Sequence, residues 1–388
     1  MHPARLYVLF TAVYHFGIGL TFIIYVPFLL GIGLSLSDVA VINTFFMFTL
    51  ALAEVPTGML ADGRSRGWSI RTGILIHTAG LFIYAAARGF WGAVAGEAVV
   101  GLGSAFISGA SQAWLVEAMI NRGERHLVDK AIGASTLAMR LAGLAGGLIG
   151  VFIGLWSPRL DWVLAGVFGL VAWAVAKKMN GDGEPVHRVS ELQALKGSLA
   201  AIRRDRTLIW ALGAMLVMGL VCPFNYFWAP FFGETAGKLS LVGIWPVFYG
   251  ATIAAGWVIR RRGLAAGCEP PVLVLSLVLA GLGMAFIGST GGFLTMIVCA
   301  AGHEIGRGFF DPALEIYTQR RSDSSWRATF GSLLSLLRTA GIGLVTLFLW
   351  SLTRGRPNDA ATISAVWLIC GLMMAAAAAL FWCWRPKK

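Results

Sequence analysis

Charge is what this chain has least of. Asp, Glu, Lys and Arg make up 13% of its 388 residues, against roughly 25% in ordinary soluble domains. An ordinary soluble enzyme is thereby excluded. Cysteine is sparse too: Cys222, Cys268, Cys299, Cys370 and Cys383 show no CxxC or metal-ligand spacing and read as inert packing residues. No GxGxxG, GxxxxGKS/T or GxSxG occurs, which removes nucleotide sites and the esterase elbow, and with them an ATP-driven pump. His303 and Glu304 open an HExxH-like string, but position 307 is arginine, so no zinc site follows. No enzyme, metal or cofactor is expected. A net charge of +12 could suggest nucleic acid, yet the basic residues sit between apolar runs and form no patch. No cleavable signal is read either, because the first apolar run is long enough to be a full span.

Apolar residues dominate instead, at 57%, with a mean hydropathy of +0.74. Runs of about 20 apolar residues, the length that crosses a bilayer core, lie near 6–33, 38–61, 70–89, 91–118, 130–155 and 161–177. A second set lies near 207–233, 239–259, 271–289, 292–318, 328–352 and 361–384. The expected fold is therefore all-α and integral to the membrane, with twelve spans. Its organisation reads as a bundle over 1–177, a polar linker over 178–206 and a second bundle over 207–388. In the linker Ser190 precedes Leu192, Leu195, Leu199 and Ile202 at helical spacing, which predicts a short amphipathic helix on the membrane surface. Connections on one side hold Arg64, Arg66, Arg71, Arg122, Arg125, Arg260–Arg262, Arg320 and Arg321, along with the basic linker and both termini. The opposite connections hold Arg88, Arg159, Lys238, Arg354 and Arg356. By the positive-inside rule both termini face the cytoplasm of a cell membrane, and Trp91, Trp156, Trp350 and Trp384 mark interfaces.

The two sets repeat each other. Gly133–Gly143, GASTLAMRLAG, returns 198 residues later as Gly331–Gly341, GSLLSLLRTAG, and the same offset pairs Glu117 with Glu315 and Gly58 with Gly256. Repeated halves in a transporter enclose a substrate path near the midplane. Gly143, Gly146, Gly147, Gly150 and Gly154 give the fifth span a small-residue face on which another backbone can approach. Pro27, Pro223, Pro230 and Pro246 are expected to interrupt their spans.

EVPTGMLADGRSRGWSIR, from Glu54 to Arg71, resembles the cytoplasmic signature of the major facilitator superfamily: a glycine, an aspartate four residues on, then a basic loop, here Gly58, Asp62, Arg64 and Arg66. Its EVPTG start, with Ser108–Glu117 and Trp326–Leu336, looks like one bacterial efflux branch of that superfamily. The signature departs at Gly63, Ser65 and Gly67, and the second half keeps Gly256 and Arg260–Arg262 without an aspartate. The resemblance implies a monomeric transporter and a cytoplasmic latch in which Asp62 sits at a helix start. Glu117 and Glu315 belong to that latch, with Glu117 near Arg71 or Arg122 and Glu315 near Arg262 or Arg327.

Burying a charge at the bilayer centre costs roughly 2.5–3.5 kcal/mol, so intramembrane charges tend to be paired and functional. Arg140 and Arg338 lie at matching midplane depth, and Glu304, Arg307 and Asp311 share one helix face at i, i+3 and i+7. Two readings follow. Either Arg140 and Arg338 hold an anionic group of the substrate while Glu304 binds a coupling proton, or the arginines merely neutralise Glu304, Asp311 and Glu97. Asp311 and Glu97 are further proton candidates; Arg307, His303, Gln112, Tyr25 and Asn225 are further substrate candidates. The resemblance places Tyr14, His15 and Tyr25 beside the cavity and His77 at the periphery. The function expected is secondary transport of a small organic molecule, anionic or zwitterionic, with proton-coupled export. Uptake and a non-transporting receptor are the alternatives.

Overall fold

The computed structural model of the chain describes residues 1–179, 205–289, 291–321 and 327–386, and at 55, 62, 260 and 327–333 the backbone alone. The linker helix read over Ser190–Ile202 lies outside the described residues. Contacts divide the chain into two compact units, Met1–His187 and Arg188–Lys388.

Every regular element among the described residues is helical. The first unit holds α1 (Pro3–Phe22), α2 (Tyr25–Gly31), α3 (Leu36–Gly63), α4 (Arg66–Ala86), α5 (Phe90–Ile120), α6 (Val128–Trp156) and α7 (Pro158–Ala176). The second holds α8 (Arg206–Met218), α9 (Cys222–Thr235), α10 (Ser240–Arg262), α11 (Glu269–Ile287), α12 (Phe293–Arg321), α13 (Arg327–Thr353) and α14 (Ala360–Cys383). Local chemistry sets the starts. Ser35 and Asp38 form a reciprocal capping box on α3, Ser65 caps α4 through Trp68 N–H, and Asp359 caps α14 through Thr362 N–H. Asp359 stands outside the membrane helix, and those helix N–H groups hold its carboxyl below the usual range. Pro3, Pro158, Pro223 and Pro270 occupy first turns, where no N–H is missed.

Eleven helical segments among the described residues are long and apolar enough to cross a bilayer. The remaining long helix, α12, has 29 residues, about 44 Å at 1.5 Å per residue. Its length suffices; His303, Glu304, Arg307 and Asp311 are what make it too polar by composition. The sequence placed a span there because an apolar run of about 20 residues surrounds those charges.

Two of the four prolines break their spans and two do not. Pro27 lacks the N–H that would bond Ile23, and the first span breaks between α1 and α2. Pro223 does the same to Gly219, where a 3₁₀ turn over Gly219–Val221 joins α8 to α9. The two prolines are 196 residues apart, within two residues of the 198-residue offset, so the repeat extends to helix irregularity. Contrary to expectation, α9 runs through Pro230 and α10 through Pro246 without interruption. One lost hydrogen bond is tolerated there because the flanking residues are anchored by packing: Phe227, Phe231, Phe232, Ile244 and Phe248 are all buried.

The glycine face of α6 is the seam against α1. A Cβ on Gly150 would stand 2.1 Å from the Leu20 carbonyl oxygen, and one on Gly146 2.3 Å from that of Phe16. In the second unit the equivalent closeness joins α11 to α14, where a Cβ on Gly371 would stand 2.4 Å from the Gly281 carbonyl oxygen. Backbone at that distance cannot yield as a side chain can. Gly150→Leu is therefore expected to destabilise the first unit by roughly 1–3 kcal/mol or more, as overpacking does. Gly109→Ala, with nothing within 4 Å of its Cβ, should leave the detergent melting temperature unchanged; equal melting of the two variants would contradict this account of the seam.

Candidate functional site

The buried charge expected on α12 is present and partnered from three other helices. Glu304, 5% exposed, accepts at Oε2 from the Thr252 hydroxyl of α10 at 2.8 Å and at Oε1 from Arg307 Nη1 at 2.8 Å. The same Arg307 Nη1 donates to Asn225 Oδ1 of α9 at 2.7 Å. One turn along, Asp311 Oδ1 accepts from Arg338 Nη2 of α13 at 2.7 Å. Asn225, Arg307, Asp311 and Arg338 line a cavity of about 160 Å³, with Met215 and Phe310 in its apolar wall. Two arginines and two carboxylates leave the cluster formally neutral. Each arginine is already met by a carboxylate of its own unit.

His303 is not in that cavity's wall. Its ring is fully buried, with Nδ1 donating to the Ala280 carbonyl at 2.7 Å and Phe224 packed 4.4 Å away. Successive helical residues point about 100° apart, so the turn that aims Glu304 at the polar cluster aims His303 at α11. Proximity in sequence suggested a shared role; helix geometry separates them.

The first unit answers differently. Arg140, the repeat partner of Arg338, has no hydrogen-bond or ion-pair partner among the described residues. A larger cavity of about 370 Å³ lies between α1, α5 and α6. Of the residues singled out as substrate candidates only Gln112 lines it, joined by Tyr14 and His15. Missed were the hydroxyls: Ser104, Ser108 and Ser111 on α5, Ser135 and Thr136 on α6, and Thr11 on α1. The available signal was the polar stripe at 104, 108 and 111–112 on an otherwise apolar helix.

Glu97 belongs to a separate cluster. It is 8% exposed and accepts from the Tyr84 hydroxyl, and Tyr25 also hydrogen-bonds it. Tyr25 in turn accepts from Asn43 Nδ2 at 3.0 Å, and Tyr84 stacks on Trp162 at 4.2 Å. Beside Trp162 in sequence, Asp161 is fully buried with neither carboxylate oxygen hydrogen-bonded. Nothing in the spacing distinguished Asp161 from an ordinary first-turn helix acid.

At the helix ends that carry the expected latch, Gly58 lies on α3 half-buried, and the Asp62 side chain is outside the described residues. Glu117 pairs with neither Arg71 nor Arg122: Arg66 Nε is 3.5 Å away, while Arg71 donates to the Met179 carbonyl and Arg122 faces Glu124. Arg64 lies over the Trp68 ring. Arg66 prevails because it opens α4 directly beside the end of α5. In the second unit Glu315 accepts from Gln319, and the ion pair is made by Arg320 with Glu269, at 2.6 Å. Glu269 is 1% exposed and also accepts from Gly267 N–H. Between corresponding helices the sign is inverted: α4 brings the cation in one unit, α11 the anion in the other.

Residues 7–346 match the sequence profile of the Major Facilitator Superfamily. No curated protein matches the chain in sequence. Among solved structures it is similar to nucleoside transporter NupG, with a TM-score of 0.81 at 12% identity over 100% of both chains. It is similar to an auto-inhibited POT family peptide transporter, with a TM-score of 0.78 at 13% identity over 100% of this chain and 98% of that one. It is also similar to a bacterial homolog of the human lysosomal transporter Spinster, with a TM-score of 0.74 at 15% identity over 98% and 95%.

Removing one member of a hydrogen-bonded ion pair strands the other. Glu269→Gln is expected to lower stability by roughly 1–3 kcal/mol, read as a melting shift of several degrees. Glu315→Gln, which among the described residues loses an exposed side-chain contact from Gln319, should melt with the wild type. A reversed order would place the structural ion pair at Glu315 after all.

Proposed function

The chain belongs to the Major Facilitator Superfamily, and from that premise we propose that it is a proton-coupled secondary transporter of a small organic molecule. It alternately exposes its site to the two faces of the membrane. The proposed direction is export, in line with the EVPTG stretch, and the proposed setting is a cell membrane with both termini in the cytoplasm, in line with the basic connections.

The observation that carries the reading is the placement of Glu304. A carboxylate 5% exposed in a membrane helix, tied to Thr252 and to Arg307, is costly as structure alone. It is the proposed proton site. A proton on Glu304 removes the ion pair to Arg307 and takes the cluster of Glu304, Arg307, Asp311 and Arg338 from net zero to +1. Arg307 then keeps Asn225 and can turn towards Asp311, which it must share with Arg338. One proton therefore changes the charge and the hydrogen bonding of the cavity wall together, which is what coupling requires.

The pairing of Arg338 with Asp311 argues against a clamp of Arg140 and Arg338 on an anion. A second reading, an anionic or zwitterionic substrate, is favoured by Arg140 alone, whose guanidinium has no partner among the described residues.

Both readings are checked in proteoliposomes with a substrate found by counterflow against a metabolite panel. Glu304→Gln should lower accumulation driven by a pH gradient roughly tenfold or more while counterflow stays within about threefold, since the proton site is lost and the path is not. Gradient-driven accumulation by Glu304→Gln at the wild-type level would overturn the coupling role. If every transported ligand carries a carboxylate and Arg140→Gln abolishes transport, the second reading holds.

A further inference from the structure

We propose that the 370 Å³ cavity of the first unit recognises an uncharged molecule offering several O–H or N–H donors beside a flat apolar face. This deepens the transport reading and rests on it. The argument is a count of protons. Ser104 donates to the Val100 carbonyl at 2.8 Å, Ser108 to Ala105 at 3.3 Å, and Ser135 and Thr136 to Ile132 at 2.8 and 2.9 Å. A hydroxyl has one proton, and each of these spends it on its own helix. What all four turn to the cavity is lone pairs.

His15 adds a fifth acceptor. Its Nδ1 is 2.9 Å from the Thr11 carbonyl oxygen; a carbonyl can only accept, so the proton is on Nδ1 and the neutral ring keeps a lone pair at Nε2. Gln112 brings two N–H donors with one oxygen beside them, Thr11 and Ser111 hydrogen-bond the Tyr7 hydroxyl, and the O–H groups of Tyr7 and Tyr14 bring one proton each. The five acceptors offer nine lone pairs against these four protons, so the wall is short of protons by several and a ligand must supply them.

Other ligand classes fit worse. No Asp, Glu, Lys or Arg is among the described residues that line the cavity. An anion would meet those lone pairs, and a cation would be desolvated without a counter-charge. A wholly apolar ligand would cover the acceptors and leave them unpaired. The remaining wall is aromatic: Tyr7, Phe10 and Tyr14 line it, with the Phe10 and Tyr14 rings 14° from parallel at 5.8 Å. That suits a flat apolar portion. At ~30 Å³ per water the volume corresponds to about a dozen waters, the room of a small metabolite.

The test uses the full-length protein in detergent with neutral phenyl glycosides of several pentoses and hexoses, their per-O-methyl ethers, which remove the donors, and the phenyl glucuronide, which adds a carboxylate. Thermal shift and equilibrium binding are read on wild type and on Ser135→Ala and Thr136→Val, whose ligand-free melting reports folding. At least one neutral glycoside should stabilise the wild type, and its methyl ether should bind at least tenfold more weakly. Thr136→Val should weaken the parent glycoside several-fold without altering ligand-free melting. The proposal is overturned if methyl ethers bind as well as their parents, if only the glucuronide binds, or if no neutral glycoside binds. Counterflow of the bound glycoside in proteoliposomes separates the two claims. Binding without counterflow contradicts transport and leaves the pocket chemistry standing; counterflow of methyl ethers at the parental rate contradicts the pocket chemistry and leaves transport standing.

Discussion

A charge inside a bilayer must find a partner, and the second unit is built around that requirement. Glu304, 5% exposed, is held by Thr252 and Arg307, and Arg307 is held by Glu304 and Asn225. Each residue comes from a helix that must therefore keep its place: α9, α10 and α12. The i, i+3, i+7 spacing on α12 then carries the line of charge to Asp311 and Arg338 at the cavity. On the proposed reading, the constraint that fixes these helices is also what a proton releases.

The first unit lines its cavity with polarity in place of charge. Its seam of α1 on α6 depends on glycine backbones in near contact, and beside that seam lie the hydroxyls of Ser135 and Thr136, spent on their own helix. The repeat is therefore stronger in backbone than in chemistry. The proline breaks recur, whereas the glycine seam joins α1 to α6 in the first unit and α11 to α14, the counterparts of α4 and α7, in the second; among the described residues Arg338 is paired and Arg140 is not, and the ion pair joining corresponding helices has its signs exchanged. On the proposed reading the units divide the work, recognition falling to the first and coupling to the second.

Much of this was legible in the sequence, for a physical reason. A bilayer demands about 20 apolar residues per span, so eleven of the spans announce themselves by composition, and α12 was read as an apolar run that its charges leave more polar than the others. The cluster of Glu304, Arg307, Asp311, Arg338 and Asn225 was visible as a set because charge and amide groups are rare at such depth. What was hidden depends on which helices touch. Thr252 and Glu269 look like any residue of their type until α10 and α11 are packed against α12. The hydroxyl pocket was hidden because a serine in a span ordinarily bonds its own helix; only three helices meeting turn several such residues into one acceptor wall. His303 was misread because adjacency in sequence outweighed a 100° turn of the helix.

The claim at the centre is that Glu304 takes up the proton that sets Arg307 free. Difference infrared spectroscopy of the protein in lipid, across a pH step, reads a protonated carboxyl directly. A carboxyl C=O band that appears on acidification, disappears in Glu304→Gln and persists in Glu97→Gln is the result predicted. A band unchanged in Glu304→Gln would contradict the account.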